Sequence, residues 1–220
     1  MLLLTFEGID GSGKSTQARL LAEYLRERGQ DPLLVREPGG TELSEKIRSV
    51  LLEPDVNVHP MAELLLFSAA RTQLVAERIR PALEEGRIVL CDRFYDSTTA
   101  YQGAGRGVAD PAWLQSFHRR VTDGLVPDRT YLVELDAETA QARREEAGTK
   151  RDRMEAEATS FYHRVAAAYD TLADEHPHRF RRLDGHRSID AIHDAIRTDV
   201  ETLLEEQTGT PFASTGSSDP

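Results

Sequence analysis

The 220-residue sequence predicts an α/β fold with a central five-stranded parallel sheet flanked by helices. Short apolar runs alternate along the chain with segments of helical spacing, and a glycine-rich turn ending in lysine follows the first run. Parallel neighbours need a crossover between them, so helices cover both faces of the sheet and its strands read as continuously apolar.

Taken in order, residues 2–6 (LLLTF) are a strand buried on both faces. Ala18, Leu21, Ala22 and Leu25 share a helix face that ends at Gly29, a C-terminal cap. Residues 33–35 are the second strand, 41–52 a helix, and 61–85 one long helix with Pro81 near its end. Residues 88–91 are the third strand. Asp110 caps a helix whose first position is Pro111 and which reaches Asp123. Residues 129–135 are the fourth strand, a helix-like segment follows, 180–183 are the fifth strand, and 188–206 the closing helix. One domain over residues 1–206 is expected, with a disordered tail over 207–220, which is rich in Thr, Gly, Ser and Pro.

A hydrophobic content of 39% is enough for one sizeable core. A single cysteine, Cys91, excludes an internal disulfide and suits a reducing compartment. The first residues turn charged too soon for a signal peptide, and no run approaches the ~20 apolar residues of a membrane span. The expectation is a cytoplasmic protein with no membrane partner. A net charge of −11 argues against nucleic acid as a partner, whose phosphates demand a basic face. Of 27 basic residues only Lys14, Lys46 and Lys150 are lysines, so each is informative.

Residues Gly8, Ile9, Asp10, Gly11, Ser12, Gly13, Lys14 and Ser15, followed by Thr16, match G-x-x-x-x-G-K-[ST] between a buried strand and a helix. Glycines let such a loop curl its N–H groups inward, and the helix N-terminus adds positive potential. Lys14 then reaches the β- and γ-phosphates, and the Ser15 hydroxyl helps hold Mg²⁺. This is the phosphate-binding loop of a P-loop NTPase fold, and its ligand is a nucleoside triphosphate. The chain has no guanine-reading N-K-x-D, and its length suits a small-molecule kinase better than a motor.

Such a kinase needs an acceptor pocket beyond the carboxyl ends of its strands. Three segments end there: REPGGTELSEKIRSVLL (36–52), LLLFSAARTQ (64–73) and LCDRFYDSTTAYQGAGRG (90–107). Phe67 and Arg71, four apart, share a helix face and suit a flat base, one by stacking and one by its edge; the bland alternative is a core ring and a surface charge. Asp92 and Arg93, directly after a strand, supply an acid for metal-bound water or base duty and an arginine for phosphate.

The segments FEGIDGSGKST, REPGGT, FSAARTQL, CDRFYDSTTAYQGAGRG, PDRTYLVELD and DRMEAE, in this order over roughly residues 1–205, resemble bacterial thymidylate kinases. The resemblance implies phosphorylation of dTMP to dTDP with ATP and Mg²⁺ by a homodimer. It implies that Phe67 stacks on thymine, that Arg71 bonds the base edge, and that Ser97, Thr98, Tyr101 and Gln102 line base and sugar, the tyrosine leaving little room for a 2′-hydroxyl. Arg93 would hold the acceptor phosphate with Arg36 and Arg48 nearby, Asp10 would meet the 3′-hydroxyl, and Asp92 would act through the Mg²⁺ shell. Some members carry an arginine in the P-loop where this chain has Gly11; those without it draw the charge from a mobile lid. The lid candidate is 142–155, with Arg143, Arg144, Lys150, Arg151 and Arg153. Arg153, in D-R-x-E, is the most family-like and the catalytic candidate, whereas Arg143 and Arg144 read as a solvated helix face.

Cys91 reads as a small buried residue, and the seven histidines show no metal spacing. Trp113 and Phe117 read as core or subunit interface. Two other readings stay open at this level: a kinase for a different acceptor, and a nucleotide-dependent binding module without turnover.

Overall fold

The computed structural model describes residues 1–146, 148, 154, 157–209 and 212. Five strands, β1 (Leu2–Glu7), β2 (Leu33–Arg36), β3 (Ile88–Asp92), β4 (Arg129–Glu134) and β5 (Phe180–Asp184), form one parallel sheet in the order β2-β3-β1-β4-β5. β1 is central, with Leu4 opposite Leu90 on one side and Arg129 on the other. Strand alternation divides the core. Leu2, Leu4 and Phe6 face helices α1 (Lys14–Glu27) and α9 (Ile189–Thr208), while Leu3 faces the opposite layer.

That opposite layer begins with α2 (Glu42–Leu52), capped by the Thr41 hydroxyl. The expected long helix over 61–85 is divided into α3 (Pro60–Leu74), a π-helical stretch at Val75–Ile79, and α4 (Arg80–Glu84). Pro81 is the physical reason: it has no N–H to donate, and its ring displaces the carbonyl one turn earlier, so the preceding turn widens. After β3 come α5 (Tyr95–Thr98), a second π-helical stretch at Thr99–Gly105, and α6 (Pro111–Val121), capped by Asp110 as expected. The chain closes with α7 (Ala137–Glu146) and α8 (Thr159–Glu175) around β5 and α9. A Cβ at Gly105 would lie 2.6 Å from the Phe161 ring, so a glycine is what lets the second π-helical stretch lie against α8.

α9 continues to Thr208, past the expected end of the domain at 206. Phe212 packs against the α1–α9 cluster, and its N–H donates to Glu205 at 3.0 Å. The remaining tail positions, 210, 211 and 213–220, lie outside the described residues. Truncation after Gly209 is expected to lower the melting temperature by a few degrees. Burying part of a phenylalanine is worth about 1 kcal/mol, and 1 kcal/mol moves a domain of this size by about 2–4 °C. An unchanged calorimetric Tm would show that Phe212 adds nothing.

Candidate active site

β1 delivers the P-loop. Its last residue, Glu7, is followed by Gly8, Gly11 and Gly13 at φ 137°, 88° and 100°, conformations open to glycine, and α1 starts at Lys14. Gly11 also permits a close approach: a Cβ there would lie 2.5 Å from the Ala140 carbonyl of α7. The Lys14 ammonium is buried, 3.5 Å from Asp10 Oδ1 and 3.5 Å from the Ile9 carbonyl. Burial, seconded by the Arg93 guanidinium, lowers its pKa.

Among the described residues three clefts open along this loop, and two of them gather the residues singled out from the sequence. One is lined by Ser15, Thr16, Arg36 and Asp92 among others. Asp92 Oδ1 is buried there with no partner among the described residues. A hydroxyl and an unpartnered carboxylate oxygen at the mouth of a phosphate loop fit Mg²⁺, which takes few protein oxygens and completes its shell with water and phosphate. Among the described residues no three His, Cys, Asp or Glu side chains gather as a metal cluster, so this pair is the fit on offer.

The other cleft is an open cavity. It brings together Asp10, Arg48, Phe67, Arg71, Arg93, Ser97, Thr98, Tyr101 and Gln102, drawn from the P-loop, α2, α3 and the segment after β3. Arg93, at φ 70°, is one of its lining residues. Its guanidinium donates to Asp10 Oδ1 at 2.6 Å, Ser97 Oγ at 2.9 Å, the Gly8 carbonyl at 3.1 Å, Tyr101 Oη at 3.2 Å and Tyr169 Oη at 3.4 Å. The Tyr101 hydroxyl donates to the other Asp10 oxygen at 3.0 Å. Burial alone would raise the Asp10 pKa, but Arg93 and Lys14 outweigh it and hold the carboxyl well below the usual range. Asp10 is therefore an anion at every working pH.

At the far wall Arg71, fully buried, donates from Nε to Glu37 Oε2 at 2.7 Å and from Nη2 to the Phe94 carbonyl at 3.2 Å. Its Nη1 and the second Glu37 oxygen have no partner among the described residues. Burial pushes the Glu37 carboxyl up, with Arg71 opposing. A buried donor left open beside a ring, Phe67, is a setting that accepts a flat heterocycle with an edge acceptor. Gln102 spends its amide on Glu63 at 2.9 Å, and Arg48 donates to the Pro38 carbonyl at 3.0 Å.

Arg36 is the exception. It lines the cleft with Ser15 and Asp92 and pairs with Glu45 at 3.0 Å, and is not among the residues lining the cavity with Arg93. The reason is strand alternation: Leu33 and Val35 are buried in β2, so Leu34 and Arg36 point the other way. Lys150, Arg151 and Arg153 lie outside the described residues. Met154, directly after Arg153 in sequence, lines the cavity, and its carbonyl accepts from Tyr162 Oη at 3.2 Å.

Several buried or bonded polar groups around the loop escaped the sequence reading. Arg144 is not a solvated charge: it donates to the Asp10 carbonyl and its guanidinium lies 4.9 Å from the Tyr162 ring centroid, beside Gly11. Arg143 bonds the Gly185 carbonyl at 2.9 Å. Glu7, Glu37 and Tyr169 are buried polar groups, and the only sequence signal for Glu7 is an acid ending an apolar strand. Cys91 is buried as expected. Trp113 stacks on Phe117 at 4.9 Å and is 43% exposed, so it is not core. His118 is buried on Thr99, and burial with Arg71 pushes its pKa down to about 3.

Comparison with known proteins places these features in one family. The sequence model described as thymidylate kinase matches residues 6–196. The thymidylate kinase of Chlorobium chlorochromatii is 45% identical over 217 residues, covering 93% of this chain and 96% of that one. That of Thermomicrobium roseum is 46% identical over 208 residues, covering 94% and 98%. Among solved structures, thymidylate kinase from Ehrlichia chaffeensis superimposes with a TM-score of 0.73 at 36% identity, covering 90% of this chain and 97% of that one. No helix among the described residues is long and apolar enough to cross a membrane.

Proposed function

The chain belongs to the thymidylate kinase family, whose activity is the ATP-dependent phosphorylation of dTMP to dTDP, and on that premise we propose how its own residues carry the reaction. An oxygen of the dTMP phosphate attacks the γ-phosphorus of ATP, the bond from that phosphorus to the β–γ bridging oxygen breaks, and ADP leaves. Positioning and charge neutralisation supply nearly all the catalysis in such a transfer.

The observation that carries the reading is the single cavity shared by Phe67, Arg71, Arg93, Asp10 and Tyr101, with Lys14 3.5 Å from Asp10. Phe67 stacks on thymine, and the open Arg71 Nη1 donates to its edge. Tyr101 packs against Phe161 and closes the space beside C2′, while Asp10 accepts the 3′-hydroxyl. Ser97, Thr98 and Gln102 complete the wall. Arg93, with Arg48, holds the acceptor phosphate. Residues 8–16 wrap the donor phosphates, and Lys14 neutralises charge between β and γ. Ser15 and Asp92 hold Mg²⁺, which supplies charge neutralisation across the donor phosphates when bound. The lid of 142–155 brings arginine to the transferring group: Arg144, seated against Gly11, is a candidate beside Arg153. The protein works as a cytoplasmic homodimer with one kinase domain per chain and no nucleic-acid or membrane partner.

An ADP-release assay with dTMP, dUMP, dCMP, dGMP, ribo-TMP and thymidine tests the assignment. dTMP is expected to have the highest kcat/KM and thymidine none. Turnover of thymidine without dTMP would make this a nucleoside kinase, and no turnover of any acceptor would leave a binding module. Tyr101→Ala is expected to raise kcat/KM for ribo-TMP relative to dTMP about tenfold, since filling or opening a pocket by one small group is worth about 1–3 kcal/mol. An unchanged deoxy/ribo ratio would make Tyr101 packing alone.

A further inference from the structure

We propose that Glu7 is the positioning residue of the acceptor-phosphate clamp, its carboxylate fixing Arg93 from both ends, which presupposes the clamp role given to Arg93 above. Glu7 ends the central strand and has no exposed surface. A carboxylate in such a place is costly unless its oxygens are satisfied. One oxygen accepts the Phe94 N–H at 2.7 Å, and the other accepts the Ser97 hydroxyl at 2.5 Å and the Tyr169 hydroxyl at 2.8 Å. The Phe94 bond pins the main chain directly after Arg93, whose φ of 70° is one that residues with side chains rarely adopt.

The two hydroxyls act on the guanidinium. Ser97 Oγ and Tyr169 Oη each lie within reach of Arg93 Nη1, at 2.9 and 3.4 Å. An ionised carboxylate accepts only, so it draws both hydroxyl protons towards itself and turns the oxygen lone pairs to Arg93. Direction thus runs from guanidinium to hydroxyl to carboxylate. A glutamine in the same place has an NH₂ that donates to the hydroxyls, which reverses the direction while keeping the shape.

Charge adds a second handle. Burial and the Asp96 carboxylate push the Glu7 carboxyl up to about 7, with Arg93 opposing. The charged and titratable groups facing it are Tyr95 and Asp96 of α5, Cys91 of β3, Arg93, Tyr169 of α8, Lys14 of α1 and Arg179, directly before β5. Its carboxylate is complete above that pH and is lost as pH falls through it, leaving a protonated group electrically like glutamine.

Glu7→Gln in the full-length enzyme at about pH 8.5 is expected to raise KM for dTMP about tenfold, with KM for ATP within about twofold and Tm near wild type; charged hydrogen bonds carry effects of this size. The wild-type/Glu7→Gln ratio of kcat/KM for dTMP should narrow below about pH 6, where both side chains are neutral; the titration of dTMP itself is common to both enzymes and cancels. In an Arg93→Lys background the same change should add little, because the two act as one unit. Should Glu7→Gln fold poorly, Tyr169→Phe keeps the ring, deletes one donor and is expected to raise KM for dTMP alone. Equal rises in both KM values, a pH-independent ratio, or additive effects with Arg93→Lys would overturn the assignment. A silent Arg93→Lys would remove the clamp itself, and Glu7's role with it, whereas a damaging Arg93→Lys beside a silent Glu7→Gln and Tyr169→Phe would remove Glu7 alone.

Discussion

Lys14→Ala is expected to lower turnover at saturating MgATP by at least about 100-fold while the protein melts near the wild-type temperature. The ammonium is buried against Asp10, and burial already lowers its pKa, so it costs the fold desolvation energy that a phosphate repays only when bound. Removing it withdraws a cation from the β- and γ-phosphates, where a charge contact contributes about 3 kcal/mol or more to the transition state. Arg93 remains on Asp10 at 2.6 Å, so that anion keeps a partner and the fold survives. Steady-state kinetics together with a thermal melt check both halves. Near-normal turnover would mean that the loop does not cradle the donor phosphates.

Arg71→Ala has a double expected effect. It removes the donor proposed for the thymine edge, so kcat/KM for dTMP should fall about ten- to hundredfold with KM for ATP unchanged. It also strands Glu37, buried and bonded to Arg71 at 2.6 Å, and breaking a buried pair from one side costs about 3–5 kcal/mol. The two effects separate in the double variant. Arg71→Ala with Glu37→Gln replaces the stranded charge by a neutral amide and should recover much of the lost stability, while kcat/KM for dTMP stays low. Recovery of both, or equal weakening of ATP and dTMP, would place the base elsewhere.

What the sequence disclosed follows from how local each signal is. The apolar runs of β1, β3 and β4 and the G-x-x-x-x-G-K-S loop are written in consecutive residues, and the elements lie where those runs do, within a residue or so. That Phe67 and Arg71 line one cavity was legible through spacing that a helix makes local. Arg36 was misplaced because a motif does not say which face of a strand its last residue takes; the alternation of Leu33 and Val35 did. The break before Pro81 needed the proline weighed against its preceding turn rather than as an end marker. Arg144 and Glu7 are harder. Arg144 owes its place to a glycine far away in the sequence, Gly11, and Glu7 to hydroxyls on α5 and α8. Such side chains look like ordinary surface charge and strand end until the long-range crossings are known.

The order β2-β3-β1-β4-β5 has a consequence for synthesis. The strand at residues 2–7 is the centre of the sheet, yet β2, the next strand made, is at an edge and does not pair with it. Its two neighbours end at residues 92 and 134. On a translating ribosome at about 5–20 residues per second, the Leu-Leu-Leu-Thr-Phe segment therefore waits about 4–17 s for its first partner and longer for its second, with both edges open. A strand so apolar and so late to pair leaves its edges open for that interval, so the enzyme's yield in cells should depend on translation speed across the β2–β3 interval more than on any codon after β4.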